Sequence, residues 1–296
     1  MRYAAIDIGS NAVRLLIADI VENEQTISFK KNTLIRVPLR LGDDAFLDQY
    51  ISEKKAADLI KTMQAFRNLM DVYKVTDYMA YATSAMREAK NGPELVERIK
   101  VDASINLEIV HGQKEANIIY ASHIEQNLDK NKNYLYIDVG GGSTELSVFS
   151  AGKIVASASF NVGAVRILDN QDKEETWTDM HDFVREHTRG FKSVMAIGTG
   201  GNINKLFRLS QEKDGVPLTF AKLKALYNYL SSFSLKDRIN VLGLNQDRAD
   251  VIIPACEIYI SVMKWAAIKS IYVPKVGLVD GIVQTLIDKN LVKSVQ

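Results

Sequence analysis

Two stretches of the chain, Tyr3 to Ile20 (YAAIDIGSNAVRLLIADI) and Tyr134 to Ala151 (YLYIDVGGGSTELSVFSA), align without a gap. Asp7 falls on Asp138, Gly9 on Gly140 and Leu15 on Leu146, all at one offset of 131 (138 − 7). Each stretch reads as an apolar strand, Asp-x-Gly, a turn of small residues and a second apolar strand. A single Asp-x-Gly turn is an ordinary hairpin. Two at one offset, each between apolar strands, predict a duplicated domain.

Outward from these repeats the periodicity changes. Glu53 to Met70 places Ala56, Leu59, Ile60, Met63, Phe66 and Leu69 or Met70 on one helical face. Apolar segments at Tyr78–Ala82 and Leu107–Val110 lead into polar or helical stretches beginning near Ser84 and Gln113. Helical character returns at Phe220–Phe233, Arg248–Ile268 and Val279–Asn290, with a strand over Ile271–Val273 before the last. This alternation is the α/β pattern. The polar run HIEQNLDKNKN, from His123 to Asn133, reads as a linker; the boundary is placed between Ala121 and Lys132 and divides the chain into domains 1–124 and 125–296.

Composition narrows the function classes. A chain of 296 residues, 47% hydrophobic, can bury a sizeable core. Lys and Arg number 37 against 36 Asp and Glu, so no global field draws the protein to nucleic acid or a membrane. Any anion site must be built locally. Cys256 is the sole cysteine, which excludes an internal disulfide, predicts a small buried hydrophobe and suits a reducing, cytoplasmic compartment. The N-terminus shows no signal-peptide pattern, and no run of about 18 apolar residues suggests a membrane span. His111, His123, His181 and His187 lack zinc-ligand spacing.

A carboxylate followed by small residues suits phosphate chemistry, because Gly and Ser let backbone N–H groups approach oxygens while the Asp holds hydrated Mg²⁺. The chain offers this twice, at Asp7 with Gly9, Ser10 and Asn11, and at Asp138 with Gly140, Gly141, Gly142 and Ser143. Neither turn is a Walker A or GxGxxG loop. A third cluster, Gly198-Thr199-Gly200-Gly201-Asn202, follows the apolar strand Val194–Ile197 and precedes helical spacing at Ile203, Leu206 and Phe207. It is either a plain strand-to-helix turn or a backbone contact for phosphate through Gly198 and Gly200.

The segments AIDIGSNAVRLLI, YATSAMREAKN, IVHGQKEANIIY, YIDVGGGSTEL and GTGGNINKL, followed by a late Arg-x-Asp helix, resemble the Ppx/GppA phosphatases in order and spacing. The resemblance covers nearly the whole chain. It implies two actin-like (ribonuclease H-like) α/β domains and a phosphohydrolase acting on terminal phosphoanhydride bonds in the cleft between them. By position, Glu115 would direct the attacking water and Arg87 would clamp a phosphoryl group, with Ser84 beside it. Asp7, Asp138 and Glu145 would organise Mg²⁺ or Mn²⁺. Glu145 matches Arg14 of the first repeat, an asymmetry that fits one catalytic centre.

Inorganic polyphosphate is the expected substrate and guanosine pentaphosphate the alternative. A weakly catalytic alarmone sensor and a sugar kinase are rivals of other classes. A homodimer is left open. A polyanion would need a local cluster including Arg87 and Lys114, with Arg40, Arg166 or Arg248. Lys114, Val279 and Cys256 depart from the family pattern, and the chain stops where many longer relatives continue into an HD-type helical domain.

Overall fold

The computed structural model describes residues 1–23, 26–120, 129 and 131–294. Most of the expected linker, 121–128 and 130, lies outside the described residues. Two compact units are present, Met1–His123 with Gly277–Gln296, and Ile124–Val276. The C-terminal segment therefore belongs with the first unit, where the sequence division at 124/125 assigned it to the second.

In the first unit β1 (Arg2–Ile8), β2 (Val13–Asn23) and β3 (Thr26–Val37) form an antiparallel meander. After the helix Glu53–Val72, β4 (Asp77–Ala82) lies parallel to β1, and β5 (Glu108–Ile109) parallel to β4. The sheet order is β3-β2-β1-β4-β5. In the second unit the meander is β6 (Asn133–Val139), β7 (Thr144–Ser150) and β8 (Lys153–Phe160). β9 (Val194–Thr199) joins β6 in parallel, and β10 (Leu218–Thr219) and β11 (Ser270–Tyr272) complete the order β10-β11-β9-β6-β7-β8. The strand pattern of the first unit thus recurs in the second, the arrangement of duplicated actin-like, ribonuclease H-like α/β domains.

The duplication reaches the backbone irregularities. Pairing slips between Ile17 and Ala18 in β2 and between Val148 and Phe149 in β7, again 131 residues apart (148 − 17). A bulge twists a strand locally, so both meanders carry the same bend.

Helices close the sheets where the apolar stripes require it. Ala56, Leu59, Ile60, Met63, Phe66 and Met70 are buried on the helix Glu53–Val72, whose first turn is capped by Ser52. The expected helix 248–268 is broken into Gln246–Ala249 and Ile252–Trp265. Pro254 is the cause: its ring excludes a helical carbonyl at Asp250, but it is tolerated in a first turn, whose N–H groups need no helical partner.

The last helix, Leu278–Ser294, packs on β1, β2, β3 and β4 and on the helix Gly112–Tyr120. Its start is fixed by Gly277 N–H donating to Asp280 Oδ2 at 2.9 Å and by Lys31 Nζ of β3, 2.6 Å from Asp280 Oδ1. Gly281 permits the close approach: a Cβ there would lie 2.6 Å from the carbonyl carbon of Ile118. Val279 is buried, so an apolar residue suits this place. No helix among the described residues is long and apolar enough to cross a membrane.

Candidate active site

Both Asp-x-Gly turns stand at the carboxyl ends of parallel strands, the usual ligand-binding edge of an α/β sheet. Gly9 N–H donates to Ala12 O at 3.2 Å, and Gly140 N–H to Ser143 O at 2.9 Å, the same bond in each repeat. A short helix after each meander then donates into the turn. Gly42 N–H and Arg40 N–H bond the carbonyls of Ser10 and Asn11 at 2.8 and 3.0 Å. In the second unit Ala164 N–H bonds Gly140 O at 3.0 Å, Val165 N–H bonds Gly141 O at 2.8 Å, and Arg166 Nε bonds Gly142 O at 2.9 Å.

A trans peptide points its carbonyl and its N–H in opposite directions. The N–H groups of Gly141, Gly142 and Ser143 therefore face away from segment 163–166, as those of Asn11 and Ala12 face away from segment 40–42. Consecutive amides aimed one way form an anion-binding nest. Gly163 makes the second nest possible: a Cβ there would stand 2.5 Å from Gly142 C and 2.6 Å from Gly141 C. Sequence reasoning missed Gly163, since a glycine after a third strand carries no distinctive signal.

In the first unit Ser10 and Ser84 are brought together, their buried hydroxyls 2.9 Å apart, because β1 and β4 end side by side. Arg87, on the short helix Ser84–Glu88, donates from Nη1 to Val110 O at 2.8 Å. Val110 follows β5 and immediately precedes His111, whose carbonyl accepts the Glu115 N–H at 3.0 Å. Ser10, Ser84, Arg87 and the first turn carrying Glu115 thus gather at one edge of one sheet. Lys114 leaves this group, paired with Glu108 at 2.6 Å and lying over the Tyr81 ring. Its charge is balanced at the surface.

The two units differ in the row of side chains that crosses each meander next to the turn. In the first it is Asp7, Arg14 and Arg36; in the second it is Asp138, Glu145 and Ser159. Directly opposed residues share a face. Arg14 Nη1 forms an ion pair with Asp7 Oδ2, so Asp7 is committed to an internal cation. Asp138 and Glu145 are instead two buried carboxylates side by side. Opposed like charges are destabilising, and Glu145 is held by hydroxyl donors on Ser143 and Ser159, at 2.7 and 2.8 Å from its Oε1.

Among the described residues no group of three or more His, Cys, Asp or Glu side chains is arranged to hold a metal ion. Of the expected trio, Asp7 pairs with Arg14 in the first unit, while Asp138 and Glu145 face each other across β6 and β7 in the second. That pair fits Mg²⁺, which commonly takes one or two carboxylates and completes its shell with water and phosphate.

The third glycine cluster divides by role. Gly198 is a packing glycine, since a Cβ would lie 2.6 Å from Ile271 Cδ1 and 3.1 Å from Ile203 Cγ1. It lies inside β9, next to the strand's end. Gly200 has φ of 97° and lies against Asp138, whose Oδ1 would be 2.8 Å from a Cβ there. Arg248 Nη1 bonds Gly201 O at 2.5 Å, and Arg40 pairs with Asp43 at 3.0 Å. The cations expected to gather a polyanion are thus each engaged within their own unit.

Comparison with known proteins gives a consistent result. Residues 16–290 match the model of the Ppx/GppA phosphatase family. A bifunctional 3-dehydroquinate synthase/phosphatase of Fusobacterium nucleatum is 28% identical over 84% of this chain, which spans only 41% of that protein. A putative exopolyphosphatase of Haemophilus influenzae is 24% identical over 97% of this chain and 91% of its own length. The crystal structure of an exopolyphosphatase from Cytophaga hutchinsonii superposes with a TM-score of 0.85 over 98% of both chains at 24% identity, a likeness of fold. The chain belongs to the Ppx/GppA phosphatase family.

Proposed function

We propose that the chain is an exopolyphosphatase that releases orthophosphate from the ends of inorganic polyphosphate. The observation that carries this reading is the side-by-side pair Asp138 and Glu145 next to a nest of backbone amides. Two buried like charges are costly to keep, and a divalent cation with phosphate oxygens gives them a purpose. Family membership and the relative named a putative exopolyphosphatase support the same chemistry.

In this reading Asp138 and Glu145 would hold Mg²⁺ or Mn²⁺, which would supply charge neutralisation at phosphate oxygens. The amides of Gly141, Gly142 and Ser143 accept phosphate oxygens, with Gly200 lining Asp138. In the first unit Gly9 to Asn11 and Ser84 form the matching phosphate-binding group. Arg87, with its fixed fork of donors, holds the terminal phosphoryl group. Glu115 takes a proton from water as its oxygen attacks the terminal phosphorus. The bond from that phosphorus to the bridging oxygen breaks, and the shortened chain leaves with the electron pair. Such transfer depends mainly on positioning and charge stabilisation. A cytoplasmic location belongs to the same proposal, supported by the single, buried, unpaired Cys256.

The test is orthophosphate release by the purified protein with polyphosphate, guanosine pentaphosphate and ATP in parallel at fixed free Mg²⁺. Polyphosphate is expected to be turned over fastest. Faster turnover of guanosine pentaphosphate would make the chain a nucleotide phosphatase, and no release from any of them would make it a binding protein. Release should also stop after exhaustive chelation and return with Mg²⁺ or Mn²⁺; undiminished release would remove the metal from the mechanism.

A further inference from the structure

Tyr259 is the one large polar side chain of the helix Ile252–Trp265 that is wholly buried, and it points its hydroxyl at the turns described above. The hydroxyl donates to Thr199 O at 2.5 Å. The Val139 backbone lies close to the same hydroxyl. Thr199 ends β9 and precedes Gly200; Val139 ends β6 and lies between Asp138 and Gly140. One phenol is therefore bonded to the end of β9 and stands beside the end of β6, the two strand ends from which the glycine turns depart.

The consequence for geometry follows from the planarity of the peptide bond. With the Thr199 carbonyl turned to Tyr259, the Gly200 N–H points the opposite way. Gly200 itself has φ of 97°, and a Cβ there would stand 2.8 Å from Asp138 Oδ1. A second tyrosine reaches the same residue differently, for Tyr136 donates at 2.7 Å to the side-chain Oγ1 of Thr199. Burial, and then the nearby Asp138 carboxylate, push the Tyr259 phenol well above its ordinary pKa, so it remains a donor.

Resting on the proposed phosphohydrolase reading, we infer that Tyr259 is a positioning residue: its hydroxyl holds the Thr199–Gly200 peptide so that the Asp138 carboxylate beside Gly200 and the adjoining turn amides keep their reacting geometry. It acts through these groups and touches no substrate.

The test is Tyr259→Phe, which keeps the ring and removes the bond, compared with Tyr136→Phe, which removes a buried hydroxyl from the same threonine. For Tyr259→Phe kcat should fall about tenfold or more with KM changed little, since preorganised groups act mainly in the transition state. Mn²⁺ binding by calorimetry should weaken, and the backbone amides of 138–142 and 198–202 should exchange hydrogen faster. Tyr136→Phe should lower thermal stability while leaving kcat, Mn²⁺ binding and those amides near wild type. Identical behaviour of the two variants would overturn the inference.

If the wild-type protein releases no phosphate, the functional reading fails, and the calorimetry and amide exchange still decide whether Tyr259 positions the turns. Should Tyr259→Phe not fold, the wild-type hydroxyl proton serves instead. Buried and bonded, it should give a slowly exchanging NMR signal that moves when Mn²⁺'s diamagnetic counterpart Mg²⁺ is added with orthophosphate. A signal indifferent to both would overturn the assignment.

Discussion

At Cys256 the environment removes the chemistry that a lone thiol suggests. The side chain is fully buried, and burial pushes its pKa from 9.0 up to about 12. The thiolate is the reactive form, so native protein at pH 8 should resist thiol reagents that label it after unfolding. The same shift has a stability consequence. The folded state keeps its proton where the unfolded thiol loses it, so this contribution is full below pH 9.0 and is lost as pH rises toward about 12. Chemical denaturation of wild type and Cys256→Val should therefore show a steeper alkaline decline for wild type; parallel curves would refute the linkage. Glu115 is the residue on which the proposed hydrolysis turns. Glu115→Gln should reduce kcat by about a hundredfold or more while substrate binding persists, because it removes a proton acceptor at nearly constant volume. Near-normal kcat in the folded variant would remove Glu115 from the mechanism.

Among the elements, the contact between the short helix Ala164–Leu168 and the turn 140–143 orients the amide nest. Gly163 enters it in an extended conformation, with no need for a left-handed backbone. Its requirement is purely steric. Gly163→Ala should push the turn away from the helix, lowering kcat by about tenfold or more and Tm by several degrees. Gly190→Ala is the matched control, since a Cβ there meets nothing within 4 Å. Equal effects of the two substitutions would show that the close approach is immaterial. The expected single helix over 248–268 belongs to this scale as well. Its apolar spacing was legible, while the break came from Pro254 acting on Asp250 four residues earlier.

For the whole molecule, the outcome that matters is where the chain's last segment goes. Leu278–Ser294 covers β1 and β4 of the first unit, although every residue from 131 to 276 described before it belongs to the second. Deleting 277–296 should therefore expose the first sheet and leave the second nearly intact. Hydrogen exchange should accelerate in β1 to β4 of the truncated protein, with β6, β7 and β9 still protected. Loss of protection confined to the second unit would contradict this division.

The duplicated hairpins, their offset and the identity of the acidic and glycine residues were fixed by local spacing. Strand–turn–strand chemistry acts over a few residues, and alternating apolar side chains report it directly. The helix Glu53–Val72 was legible for the same reason. The third strands β3 and β8 were not, because half-exposed residues such as those of KIVASASF carry little apolar contrast. Nor could spacing tell that Asp7 is taken by Arg14, that Lys114 is balanced by Glu108, or that Gly198 is filled by Ile271. Those outcomes depend on which side chains meet across strands and helices far apart in sequence. Only the tertiary structure decides them, since a carboxylate becomes a metal ligand or an ion-pair partner according to what packing places beside it.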